Sequence, residues 1–243
     1  MTIRSVIVTG ASRGIGRAIA LRLAKDGYAV AVGYSGNKAL AEEVVAEISG
    51  SGGQAIALQA DIADEAAVAG LFSETQRAFG GVDAVVNNAG VLEMSPIAKG
   101  DVDAFDRTIT TNLRGAFLVL SHAARTVREG GRIVALSTSA IAPAFPNYGP
   151  YVASKAGVEA LVRVLAGEMR GRNVTVNAVA PGPVATELFF KGKSDELIDR
   201  LTKAPPLERL GEPDDIAGVV SFLLGPDGGW VNNQVLRANG GYV

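Results

Sequence analysis

A chain of 243 residues with 48% apolar and only 20% charged side chains has ample material for a buried core, which excludes intrinsic disorder. Its 23 basic and 25 acidic residues nearly cancel, and a net charge of −2 attracts neither nucleic acid nor an anionic membrane. With no cysteine and one histidine, His122, disulfides and thiolate chemistry are excluded, and no metal site is expected.

Short aliphatic runs at residues 5–9, 29–32, 55–59, 84–87, 132–137, 175–180 and 234–237 read as strands, most of them apolar on both faces. Between them, residues 15–25, 38–48, 65–79, 152–169 and 214–224 carry Ala, Leu, Arg and Glu at helical spacing. This alternation predicts one α/β domain over residues 1–243, a Rossmann-like, doubly wound, parallel seven-stranded sheet with helices on both faces. No apolar run approaches the roughly 18 residues of a membrane span, and the N-terminus lacks a signal-peptide shape. A soluble cytoplasmic protein is therefore expected. Residues 186–213 break the rhythm with Phe189, Phe190, the charged stretch KGKSDELIDR and the pair Pro205-Pro206. The segment is long for a strand-to-helix connection and is expected to carry short helices and serve as a substrate loop.

Between the first strand and the first helix the chain reads Thr9-Gly10-Ala11-Ser12-Arg13-Gly14-Ile15-Gly16. Unpaired N–H groups and the positive end of the helix dipole meet at such a helix start, and glycines let a pyrophosphate approach the backbone. Gly10, Ser12, Arg13, Gly14, Ile15 and Gly16 are thus candidate cofactor contacts. An NAD site usually ends its second strand on Asp or Glu, which accepts from the ribose 2′-hydroxyl. Here that strand ends Val32-Gly33-Tyr34-Ser35-Gly36-Asn37, with no carboxylate before Glu42. The guanidinium of Arg13 suits a 2′-phosphate instead, so NADP(H) is expected in preference to NAD(H).

Four motifs follow in order: Gly-x3-Gly-x-Gly from Gly10, Asn87-Asn88-Ala89-Gly90, Tyr151-x3-Lys155, and Pro181-Gly182. Together, over residues 5–243, they resemble the short-chain dehydrogenase/reductases, most closely those of 3-oxoacyl-(acyl-carrier-protein) reductase type. The resemblance implies that Asp61 meets the adenine amino group and that Asn88, Ala89 and Gly90 line the cofactor ribose. It also implies that Pro181, Gly182, Val184 and Thr186 lie along the nicotinamide, with Tyr34 and Ile62 among the cofactor-binding residues. Asp61 has a second reading as the cap of the helix near Glu65. Asn112, within Thr111-Asn112-Leu113-Arg114-Gly115, matches the family asparagine that holds a proton-relay water. A homotetramer is implied through helices after strands four and five and the C-terminal strand, with which the apolar segment 230–243 agrees.

Tyr151 and Lys155, four apart, share one helix face. A ketone needs a proton at its oxygen as hydride arrives at carbon, and a tyrosine near pKa 10 is a weak acid for that work. A neighbouring ammonium favours the phenolate, and Lys155 also has donors for the nicotinamide ribose. A hydroxyl must orient the carbonyl. The commonest family spacing, thirteen residues before Tyr151, reaches Thr138; one residue of slack reaches Ser139, which we assign because serine usually fills the role. Leu92, Glu93, Met94 and Ala144 are candidate pocket residues, together with Phe145, Tyr148, Phe189 and Phe190. His122 has no partner at ligand spacing, and no Gly-x-Ser-x-Gly elbow supports a hydrolase.

The expected activity is NADPH-dependent reduction of a ketone, of 3-oxoacyl or related type and presented as a small molecule or an acyl thioester. The alternatives are an NAD-dependent alcohol dehydrogenase on the same fold, or a non-catalytic dinucleotide-binding regulator. A broken Tyr-x3-Lys would mark the regulator, and here it is intact. Arg13, Lys191, Lys193 and Arg200 are interleaved with Asp195, Glu196 and Asp199, so no basic patch for an acidic carrier protein stands out.

Overall fold

A computed structural model describes residues 3–243. Strand β1 (Arg4–Val8) sets the architecture by its alternation: Val6 and Val8 enter one apolar layer, Ile7 the other, and all three are fully buried. A strand apolar on both sides must be covered on both, and the chain supplies the helices. The first half continues through α1 (Gly14–Lys25), β2 (Tyr28–Tyr34), α2 (Lys38–Gly50), β3 (Ala55–Gln59), α3 (Glu65–Phe79) and β4 (Val82–Asn87). The second half runs through α4 (Val102–Ile109), a π turn at Thr110–Arg114, α5 (Gly115–Thr126), β5 (Val127–Leu136) and α6 (Gly149–Glu168). It ends with β6 (Thr175–Pro181), α7 (Glu187–Phe190), α8 (Asp195–Lys203), α9 (Pro213–Leu224) and β7 (Val235–Ala238).

The seven strands are parallel in the order β3-β2-β1-β4-β5-β6-β7. Strand order reverses between β1 and β4, and that switch point opens a crevice beyond the C-terminal strand ends, where ligands of open α/β sheets bind. On one face Ile19 and Leu23 of α1, Val44 of α2 and Val220 of α9 share a layer with Val6 and Val30. On the other, Leu71 and Phe72 of α3, Val119 of α5 and Val158 of α6 share a layer with Ile7 and Ile133. Each such side chain, fully buried, contributes about 1.5–3 kcal/mol. His122 of α5 lies against Phe72, ring centroids 5.4 Å apart, and burial lowers its pKa, as befits a packed histidine.

Strand β5 starts at Val127, ahead of the apolar run at 132–137, because its register against β4 shifts between Val82 and Ala84. Residues in such an irregularity follow no alternation, so no periodicity announces them. The excursion after β6 is pinned at its base. Gly211 N–H donates to Pro183 O and Ala185 N–H to Gly211 O, both at 2.8 Å, and α7 and α8 lie between these ends. Among the described residues no helix is long and apolar enough to cross a membrane.

Candidate active site

Helix α1 starts differently from its neighbours. Asn37, Asp64, Asp101 and Ser194 cap α2, α3, α4 and α8 with side-chain oxygens. The cap of α1, Arg13, makes no such bond, and no acidic residue sits in the first turn. The donors at its positive end are left for an anion. Close contact shapes the loop that leads there. Gly10 has φ +62°, and a Cβ on it would lie 2.9 Å from Ala89 Cα; on Gly16 one would lie 2.2 Å from Gly10 O. Neither position admits a side chain. Thr9 Oγ1 accepts from the N–H groups of Asn88 and Ala89, each at 3.0 Å. Asn88 Nδ2 donates back to the carbonyls of Thr9 at 3.0 Å and Gly10 at 3.1 Å. Asn88 therefore holds the loop in shape, and Thr9, missed in the sequence, is its counterpart; a hydroxyl directly before Gly10 was the available signal.

Three expected cofactor contacts are placed differently. Tyr34 is 5% exposed with its ring in an apolar layer, since β2 is buried along its whole length. Ile62 is also buried, its side chain so tight against Gly115 that a Cβ there would come within 2.9 Å. Both side chains belong to the apolar layers beside the crevice. Asp61 is exposed and accepts from Ala63 N–H at 2.9 Å, while the cap of α3 is Asp64. Arg13 Nη1 reaches Glu187 Oε2 at 2.9 Å, with both side chains largely exposed, so the glycine-rich loop meets the start of α7. Gly14 and Thr186 also approach each other there. Ser12 and Ile15 are half-buried in the loop and first turn.

Tyr151 and Lys155 stand one turn apart at the start of α6. Lys155 is buried, its Nζ donates to Leu136 O at 2.8 Å, and desolvation lowers its pKa to about 8. Burial dominates the Tyr151 phenol as well and pushes its pKa up to about 12, opposed by hydrogen bonding with Thr138. The hydroxyl beside Tyr151 is that of Thr138. Ser139 lines the same cavity as these two, with its Oγ already engaged: it donates to Ala180 O at 2.9 Å and accepts from Asn239 Nδ2 at 3.0 Å. Asn112, buried in the π turn, accepts at Oδ1 from Val91 N–H at 2.8 Å. Its Nδ2 donates to Val91 O at 2.8 Å and Ser154 Oγ at 3.1 Å, so both amide protons are used in bracing the exit of β4 against α6. Gly90 lies beside both groups, where a Cβ would stand 3.1 Å from Asn112 Oδ1 and 3.4 Å from Lys155 Nζ.

Thr138 and Tyr151 open onto a cavity of about 110 Å³. Pro181, Gly182, Val184 and Thr186 form one side, and Thr186 also caps α7 by accepting from Phe189 N–H at 3.2 Å. Phe145 and Tyr148 form an aromatic wall, which the C-terminal Tyr242 extends by stacking on Phe145 at 6.2 Å. Leu92 and Phe189 line the cavity as expected, joined by Leu188, Leu201 and Lys193. Glu93 instead pairs with Arg107 at 2.7 Å, and Met94, Ala144 and Phe190 do not line it. Tyr242 and Asn239 lay far from every motif in sequence, and no local pattern marked them. A second hollow of about 170 Å³, between Leu207, Arg209, Asp215 and Asn239, contains none of these reacting groups.

A switch-point crevice with an anion-ready helix start, beside a phenol and a buried ammonium on one helix face, defines a dinucleotide-dependent oxidoreductase. The chain belongs to the short-chain dehydrogenase/reductase family: the model for enoyl-(acyl carrier protein) reductases in that family matches residues 10–243. A short-chain type dehydrogenase/reductase of Picea abies is 48% identical over 99% of this chain and 92% of its own. NADPH-dependent aldehyde reductase 2, chloroplastic, of Arabidopsis thaliana is 44% identical over 98% and 93%. The 3-oxoacyl-(acyl-carrier-protein) reductase FabG of Staphylococcus aureus N315 is 40% identical over 98% and 97%. Among solved structures, a short chain dehydrogenase from Burkholderia cenocepacia J2315 in complex with NADP superposes with a TM-score of 0.93 at 37% identity, covering 98% of this chain and 97% of that one.

Proposed function

We propose that the protein is an NADPH-dependent carbonyl reductase that converts a ketone of 3-oxoacyl or related type to a secondary alcohol. The observation that carries this reading is a protonated phenol, Tyr151, opening with Thr138 onto a largely apolar cavity above the buried Lys155. The uncapped start of α1, the tight glycine loop and the absence of a carboxylate at the end of β2 fit a phosphorylated dinucleotide. The NADPH-dependent Arabidopsis relative and the NADP complex from Burkholderia support the same choice. Gly14, Ile15 and Gly16 would hold its phosphates, Arg13 its 2′-phosphate, and Val184 and Thr186 the nicotinamide side.

When bound, NADPH supplies the hydride that reduces the carbonyl carbon. Thr138 donates a hydrogen bond to the carbonyl oxygen and holds it beside Tyr151 Oη. Tyr151 gives its proton to that oxygen as negative charge develops there. Lys155 places its ammonium close enough to stabilise the phenolate that is left, and has donors for the ribose. Asn112 braces the site through its side-chain amide. We also propose a homotetramer, supported by the exposed Phe117 of α5, Val164 of α6 and the fully exposed Trp230 before β7.

The test is oxidation of NADPH and of NADH with diketones, β-keto esters and acyl thioesters. Turnover with NADPH, and much less with NADH, is the expected result. Failure to bind either cofactor by nicotinamide fluorescence would overturn the reading.

A further inference from the structure

Among the described residues lining the cavity, one carries a formal charge: Lys193, in the turn between α7 and α8. Long lysine side chains at a surface normally extend into water. The neighbouring Lys191 is exposed, but Lys193 is half-buried and folds back. Its Nζ sits 4.8 Å from the centroid of the Phe189 ring and donates to Phe189 O. Burial lowers its pKa, with no acidic group offsetting the effect. The acids nearest in sequence are engaged or turned outward: Asp199 pairs with Lys203 at 2.8 Å, and Asp195 and Glu196 are exposed in the first turn of α8. An ammonium has three donors, and one carbonyl and one ring face do not use them all.

We propose that Lys193 receives an anionic oxygen group of the substrate, so that the preferred carbonyl compound carries a carboxylate or phosphate on the side remote from Tyr151. This rests on the carbonyl-reductase reading and narrows it. Phe189 and the buried Leu201 keep part of the water from the pair, which makes a charge-assisted hydrogen bond count for more than it would at an open surface. Two sources offer this chemistry, the carboxylate of a small oxo acid and the phosphate of a pantetheine arm.

Matched pairs decide between them: levulinate against levulinamide, and acetoacetyl-phosphopantetheine against acetoacetyl-pantetheine. The wild-type protein is expected to favour the charged member of one pair by about tenfold or more in kcat/KM. Lys193→Gln should collapse that ratio, and Lys193→Arg should keep most of it. The pair that shows the preference identifies the source. If Lys193 only packs on Phe189, both members of a pair fall together in K193Q and the ratio stays put, which overturns the proposal. So does a wild-type enzyme that treats charged and neutral members alike while still using NADPH, an outcome that leaves the carbonyl-reductase reading standing. Should no carbonyl be reduced, that reading fails, and calorimetric binding of hexanoate against hexanamide still decides the role of Lys193. Hexanoate binding that is stronger and lost in K193Q supports it; equal or absent binding sinks it.

Discussion

Burial acts on Tyr151 and Lys155 in opposite senses, raising the phenol to about 12 and lowering the ammonium to about 8, because each is held toward its neutral form. Below about pH 8 Lys155 is charged and Tyr151 protonated, the state the reduction needs. As pH rises through that value the ammonium is lost first, while the phenol still carries its proton. The rate of carbonyl reduction should therefore be level near neutrality and fall through about pH 8, measured as kcat/KM with saturating NADPH. A profile that stays level well beyond that point would mean the charge on Lys155 is not required. Thr138 and Ser139 separate by a different pair of measurements. Thr138→Ala should lower kcat by about 10²–10³. Ser139→Ala should act chiefly on stability, about 1 kcal/mol in denaturant unfolding, because it removes the buried hydrogen bond that its Oγ gives to Ala180 O.

Helix α1 and helix α7 meet through Arg13 and Glu187, so the glycine-rich loop and the substrate loop share one ion pair. An exposed pair of this kind adds little to stability. Under the proposed role of Arg13 its consequence is competition, since the Glu187 carboxylate already holds Nη1. Glu187→Gln should tighten NADPH while leaving NADH little changed, and Arg13→Ala should weaken NADPH about tenfold. Titration by nicotinamide fluorescence checks both, and equal shifts for the two cofactors would remove Arg13 from the 2′-phosphate site. Helices α1, α2, α3, α6 and α9 were legible because their cores recur at helical spacing, whereas the short α4, α7 and α8 offer too few turns for a period to show. Helix α6 could be placed but not its exact start, since its cap, Tyr148, contributes no side-chain bond.

At the scale of the whole molecule, the proposed assembly rests on exposed apolar side chains: Phe105 and Phe117 on α4 and α5, Val164 on α6, and Trp230. Light scattering should report a tetramer, and Phe117→Asp should give a smaller assembly with its fold intact by circular dichroism. A wild-type monomer would dismiss the proposed assembly.

The sequence by itself determined the parallel sheet, the glycine-rich loop, the Tyr151–Lys155 pair and the family, because each is written in local periodicity or fixed spacing. Apolar runs on both strand faces dictate helices on both sides, and glycines before a helix dictate an anion site. It took the folded chain to reveal that Thr138 and Ser139 share the cavity with Tyr151, that Tyr34 and Ile62 belong to the core, and that Tyr242 and Lys193 reach the cavity. Those outcomes depend on side-chain direction and on contacts between residues far apart in the chain. Thr138 and Ser139 are adjacent, chemically alike and both at the cavity, yet only the Ser139 hydroxyl is tied to Ala180 O and Asn239 Nδ2, residues far away in the chain.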